Sequence, residues 1–166
     1  MMELKPLHKD AIPAALAKAE RYRLLNEPFQ AESICEDILR VEPDNQPALV
    51  MLLLSITDQL QDNLGEGVAR ARAVLPSLRD PYQRAYYAGL ICERRACAHL
   101  ALGAPGSGFV AYESLHEAMR WYEKAEAIRP AGNDDAILRW NTCARLLMTN
   151  PEVRQRPEEA FEHPLE

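Results

Sequence analysis

Two stretches of the sequence, AESICEDILRVEP at residues 31–43 and AMRWYEKAEAIRP at residues 118–130, repeat one pattern without a gap. Each stretch begins with alanine, has larger residues three and four positions later, and ends in proline. On a helix, residues three and four positions apart share a face, alanine lets a second helix approach closely, and proline ends the helix. A helix pair of this kind cannot cover its own apolar face, so neighbouring pairs must stack. The pattern therefore predicts a protein of repeated helix pairs.

Helical patterns extend over most of the chain. Strand signals are nearly absent, because there is no sustained alternation of apolar and polar residues and no Asn-Gly or Asp-Gly hairpin turn. Proline and glycine clusters divide the chain into predicted helices. The first helix is expected at residues 11–25, and the second follows the break at Pro28 and ends at about residue 41. The others are expected at residues 47–60, 66–78, 81–102, 112–128 and 134–148. We predict an N-terminal extension at residues 1–9, a helical domain at 10–149 and a mobile acidic tail at 150–166.

Charge is unevenly distributed along the chain. The 166 residues carry a formal net charge of −6, and glutamates are concentrated in the tail, whereas arginines dominate between Ala69 and His99. An acidic chain with a basic middle argues against nucleic-acid binding, which needs a dominant basic face. The basic middle favours an acidic protein or peptide partner, and a solvated helix face is the alternative explanation.

The sequence also indicates where the protein resides. The N-terminal stretch MMELKPLHKD lacks the apolar segment of a signal peptide, and the longest apolar run, at residues 48–54, is shorter than the about 20 residues that cross a bilayer. The four cysteines have no Cys-x-x-Cys spacing, which indicates reduced thiols. We expect a cytoplasmic protein with no membrane partner.

The glycine-rich stretch GAPGSGF at residues 103–109 raises the question of phosphate binding. A phosphate loop needs lysine and then serine or threonine after its last glycine, and Phe109 and Val110 occupy those positions here. The stretch also follows a predicted helix rather than a strand. We interpret it as a flexible connector between two helices.

Metal and catalytic motifs are not evident in the sequence. Cys92, Cys97 and His99 fall on one predicted helix, but only Cys92 and His99 roughly share a face, and a structural zinc ion takes four ligands. Cysteines buried as small apolar residues are the simpler interpretation. No serine, histidine and aspartate occur at the spacing of a known catalytic motif. We therefore predict no metal, no cofactor and no enzymatic activity, with a small helical enzyme as the least supported alternative.

The repeated pattern resembles the second helix of the tetratricopeptide repeat family. That helix has a small residue, a bulky residue four positions later and a proline that ends it. The matching residues are Ala31, Cys35, Pro43, Ala118, Tyr122 and Pro130. The interval between Pro43 and Pro130 exceeds two standard repeats of about 34 residues, so longer helices and loops, including the glycine stretch, must lie between them. The resemblance implies a right-handed α-solenoid of about three helix pairs, followed by a C-terminal capping helix.

The resemblance also implies a function and a set of residues. In this family the first helices of the repeats form a concave groove that binds a partner peptide or helix. The residues that the alignment places in this groove are Leu16, Glu20, Arg23, Val50, Leu54, Thr57, Ala88, Cys92, Arg95, Leu138, Thr142 and Arg145. The three arginines among them suit the recognition of carboxylates. We therefore predict a non-catalytic scaffold or adaptor with a protein or peptide partner. The alternative is a self-assembling protein that forms dimers or larger arrays.

Overall fold

The computed structural model describes residues 1–158, which contain only helices and their connections. Short 3-10 helices occur at Lys9–Ala11 and Leu75–Ser77. The α-helices are α1 (Ile12–Leu24), α2 (Pro28–Val41), α3 (Gln46–Thr57), α4 (Leu64–Val74), α5 (Pro81–Leu102), α6 (Ser107–Ala127) and α7 (Asp135–Thr149). The all-α class predicted from the sequence is therefore confirmed. None of these helices combines the length and the apolar character that crossing a membrane requires.

Prolines and polar side chains determine where several helices begin. Pro28 occupies the first turn of α2, where its missing N–H group has no helical partner in any case. The side chain of Asn45 accepts a hydrogen bond from the backbone N–H of Ala48 at 3.0 Å. The side chain of Asp80 accepts one from the backbone N–H of Tyr82 at 2.9 Å. Because such caps satisfy donors that the helix leaves free, α3 and α5 begin close to their predicted positions.

The glycine-rich stretch is an ordered turn between α5 and α6. Gly103 and Gly106 have φ angles of 64° and 79°, and glycine adopts this left-handed conformation without strain. Because the two glycines complete the turn within residues 103–106, α6 begins at Ser107 and not at Tyr112 as predicted. The connection is shorter and α6 is longer than the sequence pattern indicates.

The helices pack mainly against their neighbours in the chain. Contacts join each helix to the next from α1 to α7, and they also join α1 with α3 and α5 with α7. The most extensive packing is between α5 and α6. Buried apolar residues form separate clusters along the chain rather than one central cluster. The core is therefore distributed from the N-terminal to the C-terminal helices.

The small residues of the repeated pattern lie at close contacts between helices. Ala31 on α2 and Ala118 on α6 are fully buried, as are Cys35 and Tyr122 four positions later. The burial that the pattern predicts for these positions is confirmed. Ile128, the last apolar residue of the second stretch, follows the end of α6 at Ala127 and is 52% exposed among the described residues.

The segment after α7 is packed for part of its length. Val153 is 5% exposed and belongs to the C-terminal core cluster, and the Arg156 guanidinium lies 5.2 Å from the centre of the Phe109 ring. A Cβ on Gly108 would overlap the backbone of Glu152, so glycine is needed for this close approach. The segment around Val153 is therefore packed against the helices, whereas the sequence predicts a mobile tail from residue 150. Residues 159–166 of the predicted tail lie outside the described residues.

The substitution Gly89→Ala tests the close approach of α5 and α6. A Cβ at this position would lie 2.7 Å from Cε1 of Tyr122, and the Tyr122 ring is fully buried and cannot move aside. We expect the free energy of unfolding to fall by about 1–3 kcal/mol, the usual cost of overpacking, measured by urea unfolding with circular dichroism.

The matched control is Gly65→Ala in α4, where a Cβ would meet no atom within 4 Å. Here alanine should raise the free energy of unfolding by about 0.5–1 kcal/mol, because glycine loses more backbone freedom on forming a helix. Stabilisation by both substitutions would contradict the close packing of α5 on α6.

Candidate binding cleft

A cleft of about 440 Å³ is formed by residues of α1, α5 and α7 together with the end of α3 and the segment that follows it. Charged side chains from several helices line it, and we refer to it as the charged cleft. Its charged residues are Arg23, Asp58, Glu93, Arg94 and Arg139. The cleft therefore brings together side chains that are distant in the sequence.

Asp58, at the C-terminal end of α3, is held between two arginines. Arg23 of α1 donates from Nε to one carboxylate oxygen of Asp58 at 2.6 Å and from Nη2 to the other at 3.4 Å. Arg94 of α5 also pairs with the Asp58 carboxylate. The side chains of the three residues are between 19% and 24% exposed, so water still reaches these ion pairs.

Glu93 is the buried carboxylate of the cleft. It is 4% exposed, and it accepts hydrogen bonds from the hydroxyl of Tyr122 at 2.5 Å and from Nη1 of Arg139 at 3.1 Å. Burial and the negative charge of Glu93 raise the pKa of Tyr122 far above its ordinary value, so the phenol stays protonated and donates. Since Tyr122 lies on α6 and Arg139 on α7, Glu93 connects α5 to both helices.

The chemistry of the charged cleft favours anions. Three guanidinium groups face two carboxylates, and each guanidinium has five N–H donors, more than the carboxylates can occupy. Arginine binds carboxylates through paired, charge-assisted hydrogen bonds. The arrangement is therefore chemically suited to carboxylates.

The structure brings only two of the predicted groove residues into the charged cleft, Arg23 and Thr57. Leu16 and Glu20 lie nearer the N-terminus of α1 than Arg23 does, and Val50 and Leu54 are half-buried on α3. These four positions are thus on the predicted helices but outside the cleft wall.

The α5 positions predicted for the groove lie outside the charged cleft. Ala88 and Cys92 are 7% and 2% exposed, because other helices cover this part of α5, so they are core residues. Arg95 lines a separate cavity of about 460 Å³ with Arg72 and His99, and it donates to Ser114 of α6 at 3.3 Å. Successive helical residues point about 100° apart, so a shift of one residue places Arg94, not Arg95, in the charged cleft.

The predicted residues of α7 lie beside the cleft. Leu138 and Thr142 line a shallow cavity of about 320 Å³ with Tyr86 and Arg139, and Leu138 is 62% exposed. Arg145 is exposed on α7. Arg139, one position after Leu138, is the side chain of α7 that enters the charged cleft.

Sequence reasoning missed Asp58, Glu93, Arg94 and Arg139. One signal was present: Glu93 directly follows the apolar run Leu90-Ile91-Cys92, and an acidic residue within a buried stretch needs a partner. No local pattern could have identified the partners, because Arg23 and Arg94 are 35 and 36 positions from Asp58, and Arg139 is 46 positions from Glu93.

None of the four cysteines has the lowered pKa of a catalytic thiol. Cys35, Cys92 and Cys143 are buried, and Cys97 is exposed and lines the charged cleft. Burial raises the pKa of Cys35 and Cys143 to about 12 and that of Cys92 to about 11. Desolvation and the negative charge of Glu93 also raise the pKa of Cys97, whereas a catalytic thiol needs a lowered pKa. Within residues 1–158, no group of three or more cysteine, histidine or acidic side chains could hold a metal ion.

Comparison of the chain with protein-family models, with curated proteins and with solved structures finds no match in any of the three.

The substitution Tyr122→Phe tests the buried hydrogen bond to Glu93. Glu93 would stay buried but lose a donor, so we expect the free energy of unfolding to fall by about 1.5–3 kcal/mol, the range for hydrogen bonds to charged groups. Urea unfolding measures the change. The control is Tyr112→Phe on the same helix, where the tyrosine ring lies 4.4 Å from that of half-buried His116 and the loss should stay within about 0.5 kcal/mol. Equal losses would show that the Tyr122 hydroxyl has no special role.

Thiol labelling tests the burial of the cysteines. In the native protein only Cys97 should react with Ellman's reagent, and its rate should increase from pH 7 to pH 9, because the thiolate is the reactive form and the pKa is raised. The other thiols should react only after unfolding. Cys97→Ser should abolish the native-state reaction, and the reaction of a second thiol in the native protein would contradict the structure.

Proposed function

We propose that the protein is a non-catalytic interaction module, organised like a tetratricopeptide repeat protein, that binds an acidic peptide segment in the charged cleft. The observation that carries this proposal is that residues from α1, α5 and α7 and from the end of α3 form the wall of one cleft. In stacked helix pairs, alternate helices share one surface. The pairs would be α1 with α2, α3 with α4, and α5 with α6, and α7 would be the capping helix.

The contacts between helices support this organisation. Each helix packs on the next one in the chain, and α1 with α3 and α5 with α7 also make contact. Successive pairs that stack in this way leave the first helix of each pair on the same side. An extended partner could then run across α1, α3, α5 and α7 in turn.

The residues of the charged cleft indicate the chemistry of the partner. Arg23 and Arg94 already hold a carboxylate, that of Asp58, so the spacing of the two guanidinium groups fits this group. Leu24, also on the wall of the cleft, is 79% exposed and offers an apolar contact beside the charges. A segment that combines acidic and apolar side chains matches both features.

A peptide titration tests the proposal. The probe is a fluorescein-labelled peptide of eight alternating glutamate and leucine residues, and binding is followed by fluorescence anisotropy. Arg23→Gln and Arg94→Gln should each weaken binding about ten-fold, because a hydrogen bond between charged groups contributes about 1.5 kcal/mol or more. The corresponding peptide with glutamine in place of glutamate should bind more weakly than the acidic peptide.

Arg79→Gln is the matched control for these variants. It removes the same charge from an ion pair with Asp44 in which both side chains are more than half exposed, and neither residue lines the charged cleft. Binding should change by less than about two-fold, because exposed charges outside a contact are screened by salt. Equal effects of Arg79→Gln and Arg94→Gln on peptide binding would indicate nonspecific electrostatic attraction and would refute the proposal.

Self-assembly is the second candidate function. Leu24, Leu25 and Phe29 at the turn between α1 and α2 are 79%, 62% and 76% exposed, and neighbouring exposed apolar residues favour association. Light scattering over the protein concentrations of the titration distinguishes the two functions. A mass that rises with concentration, with no binding of the acidic peptide, would favour self-assembly.

A further inference from the structure

The two carboxylates of the charged cleft differ in how firmly they are held. The Glu93 side chain is 6% exposed and receives a tyrosine hydroxyl and a guanidinium from two other helices. If the Glu93 side chain moved away, Tyr122 and Arg139 would lose their buried partner, which is strongly unfavourable. Glu93 is therefore a fixed part of the cleft.

Asp58 is held in a different way. Its side chain is 19% exposed, and its two arginine partners are 21% and 24% exposed. Ion pairs that water still reaches contribute little to stability. Asp58 is also the C-cap residue of α3, where the helix dipole disfavours a negative charge. The ion pairs with Arg23 and Arg94 are therefore the main interactions that hold the Asp58 carboxylate in its position.

We infer that Asp58 is an internal competitor, and that a carboxylate of the partner replaces it between Arg23 and Arg94. This inference rests on the proposed function and goes further by assigning the point of contact and a regulatory residue. The wall of the cleft already shows a carboxylate between these guanidinium groups, so the incoming group needs only the same geometry. Arg139 stays paired with Glu93 whether Asp58 or the carboxylate of the partner lies between Arg23 and Arg94.

Exchange at Asp58 also specifies the partner. The group that enters must be a carboxylate small enough to lie between two guanidinium groups, which an aspartate or glutamate side chain of a peptide satisfies. It must come from a segment that can lie beside the exposed Leu24. Binding strength then depends on how well the carboxylate of the partner competes with the one that the chain itself supplies.

Asp58→Asn tests the competition. Asparagine keeps the size of the side chain and removes the charge that occupies the arginines, so the alternating glutamate and leucine peptide should bind about five-fold more tightly, as expected for a unit charge removed at about 4 Å in water. Asp58→Ala should change binding in the same direction, so the inference does not depend on one variant. Thermal unfolding by circular dichroism verifies that each variant is folded.

Asp44→Asn is the matched control, since it removes an equal charge from the exposed ion pair with Arg79. It should change the affinity by less than about two-fold because of screening. Tighter binding by the Asp58 variants but not by Asp44→Asn would support exchange. Equal tightening by all of these variants would indicate a general charge effect and would overturn the inference.

The remaining outcomes separate this inference from the proposed function. If Asp58→Asn weakens binding or leaves it unchanged while Arg94→Gln still weakens it, Asp58 does not compete, and the binding function stands without it. If neither the wild-type protein nor Asp58→Asn binds the acidic peptide, both proposals are refuted.

Discussion

The arrangement of the C-terminal half depends on the buried carboxylate of Glu93. A charge that is 4% exposed needs partners, because an unpaired buried charge costs several kcal/mol. These partners come from α6 and α7, so the requirement can be met only when three helices have the observed relative positions. The same contacts hold Arg139 at the charged cleft. One electrostatic requirement therefore specifies helix packing and also builds part of the site.

Close packing of small residues makes this interaction possible. The Tyr122 hydroxyl reaches Glu93 because α6 lies close to α5, and Gly89 provides the space that the Tyr122 ring occupies. Ala118 and Ala125 on the same helix are fully buried, which lets neighbouring helices approach α6 to within side-chain contact. A larger residue at these positions would separate the helices and leave Glu93 without its donor. Steric and electrostatic constraints are thus linked through one tyrosine.

Features that depend on interactions between residues close together in the sequence could be predicted, and features that depend on distant residues could not. The helices were predictable because period, proline breaks and caps such as Asn45 act over a few residues, and the burial of Ala31 and Ala118 followed from the repeated pattern. The charged cleft was not predictable, because its ion pairs join residues far apart in the chain. On α5 the residue predicted for the groove was Arg95, and the residue that lines the charged cleft is its neighbour Arg94. The packing of Val153 was missed because a single apolar residue gives no periodic signal.

Adjacent residues of α5 have different environments. Glu93 points inward and is locked by two helices, whereas Arg94, about 100° further around α5, points into the cleft and pairs with the partly exposed Asp58. The rigid part of the site is thus adjacent in sequence to the part that can exchange partners. Because Glu93 and Arg139 hold α5 and α7 in place, Arg94 can exchange one carboxylate for another without disturbing the core. A binding surface needs this combination, since a group that is preorganised by its neighbours loses less entropy when it binds.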